Sequence, residues 1–191
     1  MNLDLQPTTY NLHPVPIFVF FGTPAFAVIV LDELKAAGFI PSLVVTAPDK
    51  PAGRGLAITP PPAKEWATEN GIEFLQPLKL DDSFTYNLQP IHPPKFSQSE
   101  NLGGQAYDLF IVAAYGKIIS QTVLDLPKHG TLNVHPSLLP KFRGASPIES
   151  FILSGQEETG VTIMLVDKEM DHGPILESRK LKVTPVAEQS S

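Results

Sequence analysis

Five consecutive apolar residues, Ile17 to Phe21 (IFVFF), run into Gly22 and then into a stretch with helical spacing. A strand with no polar position has no solvent face, so it must lie in a sheet covered on both sides. That requirement removes open antiparallel meanders and helix bundles, and leaves an α/β sheet between helical layers. Thr23 is placed to cap the helix, Pro24 suits its first turn, and Phe26, Ile29, Val30 and Leu34 make an apolar stripe ended by Gly38. A second strand over Ser42 to Thr46 completes a βαβ unit with a right-handed crossover.

The alternation continues along the chain. A helix is expected over Ala63 to Glu69, a short strand over Ile72 to Leu75, and a buried strand over Asp108 to Ala114, followed by Tyr115, Gly116 and the apolar stretch Ile118 to Leu126. Pro147 to Leu153 reads as a helix stopped by Gly155, Gly160 to Asp167 as a strand, Lys168 to Gly173 as a turn, and Ile175 to Val183 as a final alternating strand. The predicted fold is a mostly parallel sheet flanked by helices, its last two strands forming an antiparallel edge. Residues 1 to 16 carry three prolines and no period, and read as an extension; residues 17 to 191 make one domain. Within it, residues 77 to 106, including His92, lack a sustained period and read as a poor helix followed by an irregular insertion.

Composition narrows the chemistry. Cysteine is absent, which excludes disulfides, thiolate metal sites and a cysteine nucleophile. The N-terminus has no signal-peptide pattern and no apolar run approaches the ~20 residues of a membrane span, so the expectation is a cytoplasmic protein away from membranes. The net charge of −6 argues against a nucleic-acid surface over the whole chain. A local exception is the loop from Ala47 to Gly71, where Lys50, Arg54 and Lys64 outweigh Asp49 between glycines and prolines; it is either a solvated loop or a phosphate or RNA contact centred on Arg54. The first turn, GTPAFA, does not match G-x-G-x-x-G, so dinucleotide binding has little support.

The stretch TLNVHPSLLPKFRG, Thr131 to Gly144, holds the candidate site. Asn133 and His135 stand two apart and share a strand face, either as satisfied strand-end polars or as a reacting pair. Parallel strands deliver their loops to a crevice beyond their carboxyl ends, where Tyr115, Gly116, Asn133, His135 and the turn bearing Asp171 are expected to meet. Ser137 and Ser146 lack a nucleophile-elbow context, and His129, His135 and His172 have no metal-ligand spacing, so covalent and metal chemistry are both unsupported. Direct attack of a substrate on a bound carbonyl remains, assisted by proximity and oxyanion stabilisation.

The segments FFGTPAFA, APDKPAGRG, VAAYGKII, LNVHPSLLPKFRGASPI and ETGVTIMLVDKEMDHGPIL, in this order, resemble the catalytic domain of the methionyl-tRNA formyltransferase family. The resemblance covers Ile17 to roughly Val183. It implies a Rossmann-like formyltransferase fold, 10-formyltetrahydrofolate as formyl donor, no metal, initiator methionyl-tRNA as acceptor, and a cytoplasmic monomer. By the same resemblance Asn133, His135 and Asp171 are the catalytic triad, with Asn133 and His135 stabilising the oxyanion and Asp171 supporting His135. Ser137, Leu138, Leu139 and Pro140 match the folate-binding segment, Tyr115 and Gly116 the wall near the pterin, and Arg54 the loop that approaches the tRNA acceptor end. Full-length members continue into a tRNA-binding barrel-like domain, expected to be absent from these 191 residues. The alternatives are a folate-binding protein without transferase activity, or formyl transfer to a small amine such as a sugar nucleotide or glycinamide ribonucleotide.

Overall fold

The computed structural model describes residues 15–52, 56–88, 107–167, 169 and 171–183. In chain order the elements are β1 (Phe18–Gly22), α1 (Ala25–Ala36), β2 (Leu43–Val45), β3 (Lys50–Ala52), β4 (Ala57–Thr59), α2 (Pro62–Glu69) and β5 (Phe74–Leu75). A 3-10 helix (Asp82–Leu88) follows, then β6 (Leu109–Ala113), α3 (Gln121–Leu124), β7 (Thr131–His135), α4 (Pro147–Ser154), β8 (Glu158–Leu165) and β9 (Ile175–Lys182). Seven strands form one sheet in the order β5-β2-β1-β6-β7-β8-β9. The first five are parallel, β8 is antiparallel to β7, and β9 is antiparallel to β8.

The apolar run of β1 is explained by two cores, one on each face. Phe18 and Phe20 pack with Ala27, Leu31, Trp66 and Ile111 beneath α1 and α2. Val19 and Phe21 pack on the other face with Leu80, Phe84, Phe110, Tyr115 and Val123. Leu80, Phe84 and Leu88 therefore bring the start of the 77 to 106 segment into the core, which its lack of period had hidden. Residues 89 to 106, with His92, lie outside the described residues.

Three local expectations are corrected. Thr23 does not cap α1: Pro24 holds the cap position without a side-chain bond, one place ahead of the expected first turn. The Thr23 hydroxyl instead donates to the Tyr115 carbonyl (3.0 Å) and accepts the Ala47 N–H (3.3 Å), tying together the carboxyl ends of β1, β2 and β6. Ile29 is exposed, and the inward face of α1 is built on Ala27 and Leu31; at Ala27 helix and strand approach too closely for a larger side chain. A Cβ on Gly22 would lie 2.6 Å from that of Ala27 and 2.9 Å from the Ala113 carbonyl oxygen. Finally, β9 alternates in sequence yet is exposed at all eight positions, since it forms the sheet edge and no described element covers either face.

Between β2 and α2 the expected loop contains an antiparallel hairpin, β3 against β4. Its base is held by Asp49, whose carboxylate accepts bonds from Lys64 Nζ (2.9 and 2.7 Å) and from Gln76 Nε2 (2.7 Å). These donors hold the Asp49 carboxyl below its ordinary value, the Lys64 bond being the largest cause. Arg54, between β3 and β4 in sequence, lies outside the described residues.

Candidate active site

Strand parity sets the first two members of the site. On β7, Thr131, Asn133 and His135 share one face, and Thr131 anchors it by donating from its hydroxyl to the Leu124 carbonyl (2.9 Å). Val112 pairs with Asn133, which places Ala114 level with His135 on the neighbouring strand.

Asp171 reaches the pair by a route the sequence did not suggest. Because β8 runs antiparallel, its end lies beside the start of β7, with Leu165 opposite Leu132 and the Val166 N–H donating to the Thr131 carbonyl (2.8 Å). The turn thus leaves the sheet opposite the crevice end and folds back over the face that bears Asn133 and His135. Gly173 permits this, since a Cβ there would sit 1.9 Å from the Leu165 carbonyl oxygen. Asp171 itself has φ +52°, a left-handed conformation that Asp tolerates better than most residues.

The three side chains converge on one oxygen. Asn133 Nδ2 donates to Asp171 Oδ1 (3.1 Å), and His135 Nδ1 stands 3.5 Å from the same atom. Asp171 Oδ2 accepts the Gly144 N–H (2.8 Å), and His135 Nε2 lies 2.9 Å from the Phe142 carbonyl oxygen. His135 and Asp171 side chains are 5% and 9% exposed, so water competes little for these contacts. The second Nδ2 proton of Asn133 has no partner among the described residues. An amide with an N–H to spare, beside an imidazole backed by a carboxylate, can stabilise a developing oxyanion and accept a proton.

The next segment is braced from beneath. Ser137 is fully buried, with its hydroxyl donating to the Lys141 carbonyl (2.6 Å). Thr162 donates from its hydroxyl to the Ser137 carbonyl (2.7 Å) and accepts the Leu139 N–H (3.2 Å). Leu138 leans on Gly160, where an added Cβ would approach Leu138 Cδ2 to 2.6 Å. Thr162, Phe142 and Gly144 were missed by sequence reasoning. A threonine on the inward parity of an apolar strand was the one available signal, for Thr162.

The family described as formyl transferase matches residues 16–191. The chain belongs to the formyl transferase family. Among its relatives are the methionyl-tRNA formyltransferases of Halorhodospira halophila (44% identical over 88% of this chain and 49% of the relative) and Bordetella pertussis (48%, 86% and 51%). The chain spans about half the length of these curated relatives. Solved structures share the fold: glycinamide ribonucleotide transformylase 1 from Geobacillus kaustophilus has a TM-score of 0.62 at 24% identity, covering 91% of this chain and 85% of that one. A formyltetrahydrofolate deformylase from Pseudomonas syringae pv. tomato has a TM-score of 0.60 at 18% identity, covering 94% and 54%.

Leu78, Lys79, Leu80, Asp81, Lys117, Ile118 and Ser120 line an open concavity of about 500 Å³, which follows in sequence the exposed, positive-φ backbone at Ala114 (+48°) and Gly116 (+76°). The Ser120 hydroxyl is buried without a partner among the described residues. Lys117 donates to the Pro77 and Leu78 carbonyls (2.7 and 3.2 Å), and burial, with Lys50 nearby, lowers its pKa. The Tyr115 ring does not face this space: it is buried edge-on against Phe21, with centroids 5.8 Å apart. Gly116 and Ala114, rather than the phenol, are what this segment presents outward. Among the described residues no group of three His, Asp or Glu could hold a metal ion, and no helix is long and apolar enough to cross a membrane.

Proposed function

We propose that this chain carries the formyl-transfer centre of a methionyl-tRNA formyltransferase. The observation that carries the reading is the convergence of Asn133 and His135 on one oxygen of Asp171, in a chain 44–48% identical to proteins of that name. On this reading 10-formyltetrahydrofolate supplies the formyl group. Ser137 to Pro140 and Gly116 would hold it.

The chain's own residues then act on the amine and the carbonyl. The acceptor is the α-amine of initiator methionyl-tRNA; such a group, with a pKa near ~7.7, is partly neutral at cellular pH and needs no strong base to attack. Asn133 donates its second amide proton to the charge growing on the formyl oxygen. Asp171 orients that amide and supports His135 while it accepts the proton the amine releases. Arg54 contacts the tRNA acceptor end. The Phe142 carbonyl occupies the Nε2 side of His135, so the oxyanion role falls mainly on Asn133.

The test is formylation of methionyl-tRNA by the full chain with 10-formyltetrahydrofolate. Asn133→Ala, His135→Ala and Asp171→Asn are each expected to lower kcat by about 10²–10³-fold, the loss typical of one oxyanion-hole donor. Undiminished activity in these variants refutes the assignment. Tetrahydrofolate binding without product supports the non-transferring alternative. Preference for glycinamide ribonucleotide or a sugar nucleotide in competition would replace the acceptor.

A further inference from the structure

The turn from Lys141 to Gly144 touches the site through two backbone atoms. The Phe142 carbonyl oxygen lies 2.9 Å from His135 Nε2, and the Gly144 N–H donates to Asp171 Oδ2 at 2.8 Å. A carbonyl can only accept, so Nε2 carries the proton, and in the neutral ring the lone pair is on Nδ1, 3.5 Å from Asp171 Oδ1. A proton delivered to Nδ1 is then held between imidazole and carboxylate. The backbone that makes both contacts is unusual: Phe142 has φ +56° and Gly144 φ +103°. At Gly144 a Cβ would meet no atom within 4 Å, so the demand for glycine there is conformational and does not arise from crowding.

We infer that the Phe142–Gly144 turn is a positioning element for the reaction, fixing the His135 tautomer through the Phe142 carbonyl and the Asp171 carboxylate through the Gly144 N–H. The inference rests on the formyl-transfer reading and deepens it by naming Nδ1 as the proton-accepting atom. In the transfer, the bond from formyl carbon to acceptor amine forms and the bond from that carbon to the donor nitrogen breaks. One amine proton passes to Nδ1 against Asp171 and is returned to the donor nitrogen as it leaves, so atoms and charge balance.

The experiment compares Gly144→Ala with Gly38→Ala in the full chain. Gly38 also has positive φ (+86°) and open space around its Cα, but follows α1 at the opposite end of the sheet. Both substitutions strain the backbone and are expected to lower Tm alike. Only Gly144→Ala should reduce kcat, on the order of 10–100-fold, with KM for the folate unchanged, as a small misplacement of reacting groups does. Nitrogen-15 NMR of His135 should report an Nε2-protonated ring in the wild type and a mixed tautomer in Gly144→Ala. A kcat for Gly144→Ala within about twofold of Gly38→Ala overturns the inference. So does a wild-type spectrum with the proton on Nδ1, which decides the matter alone if Gly144→Ala fails to fold. A wild type that forms no formylated product sinks the transfer reading, while the spectrum still tests the turn's hold on His135.

Discussion

Thr162→Val isolates the brace beneath the Ser137 to Pro140 segment. Thr162 is fully buried, and its hydroxyl donates to the Ser137 carbonyl at 2.7 Å while accepting the Leu139 N–H and the Ser178 hydroxyl, both at 3.2 Å. Valine fills nearly the same volume, so the cost is polar. Ser178 sits on the exposed edge strand and turns to water, but the Ser137 carbonyl and the Leu139 N–H are left without that partner, at about 1–3 kcal/mol each. The sum, about 2–6 kcal/mol, is a large part of the ~5–15 kcal/mol that holds a typical domain together. Urea unfolding followed by the fluorescence of Trp66, the single tryptophan and a core residue, reads it directly. The midpoint should fall with the slope unchanged. Tetrahydrofolate affinity should fall as well, because the segment proposed to hold it has lost its support. Thr162→Ser keeps the hydroxyl and loses one methyl, an expected cost of about 0.5–1.5 kcal/mol. A serine variant that unfolds at the same or lower urea than the valine variant would refute the hydrogen-bond account.

Two titratable groups give opposite signs. Tyr115 is pushed up to about 12 by burial, so the folded state keeps its proton where the unfolded chain loses it; stability should decline as pH rises from 10.0 towards 12, and Tyr115→Phe should make that decline shallower while removing an unpartnered buried hydroxyl. Asp49 is held low by Lys64 and Gln76, so its contribution is present above the unfolded value near 3.8 and lost as pH falls through the lower folded value; Tm against pH should have a shallower acid limb in Asp49→Asn.

The sheet and the first two members of the site were legible because both depend on strand parity. The run Phe18 to Phe21 distributes alternate residues to two cores, and Asn133 and His135 share a face for the same reason. What was illegible depends on approach between distant elements. The need for a small residue at Ala27, on the inward face of α1, follows from the closeness of Gly22. Thr23 spends its hydroxyl on strand ends separated from it by up to 92 residues. The inward alternation of β9 has no described partner to face.

The third member of the site shows most clearly how chain direction shapes the chemistry. Had β8 been parallel to β7, its following loop would emerge at the crevice and Asp171 would meet the pair from above. The antiparallel strand sends the chain out at the other end, and only a turn closed by Gly173, with Asp171 in the left-handed region, returns a carboxylate across the face. That geometry leaves both ring nitrogens of His135 facing acceptor oxygens, and both Asp171 oxygens facing donors. The second Nδ2 proton of Asn133 is then the one side-chain N–H of the three residues without a protein acceptor among the described residues. On the proposed formyl-transfer reading the formyl oxygen finds its donor at Asn133, and Asn133→Asp, which replaces that donor with an acceptor, should lower kcat more than Asn133→Ala does.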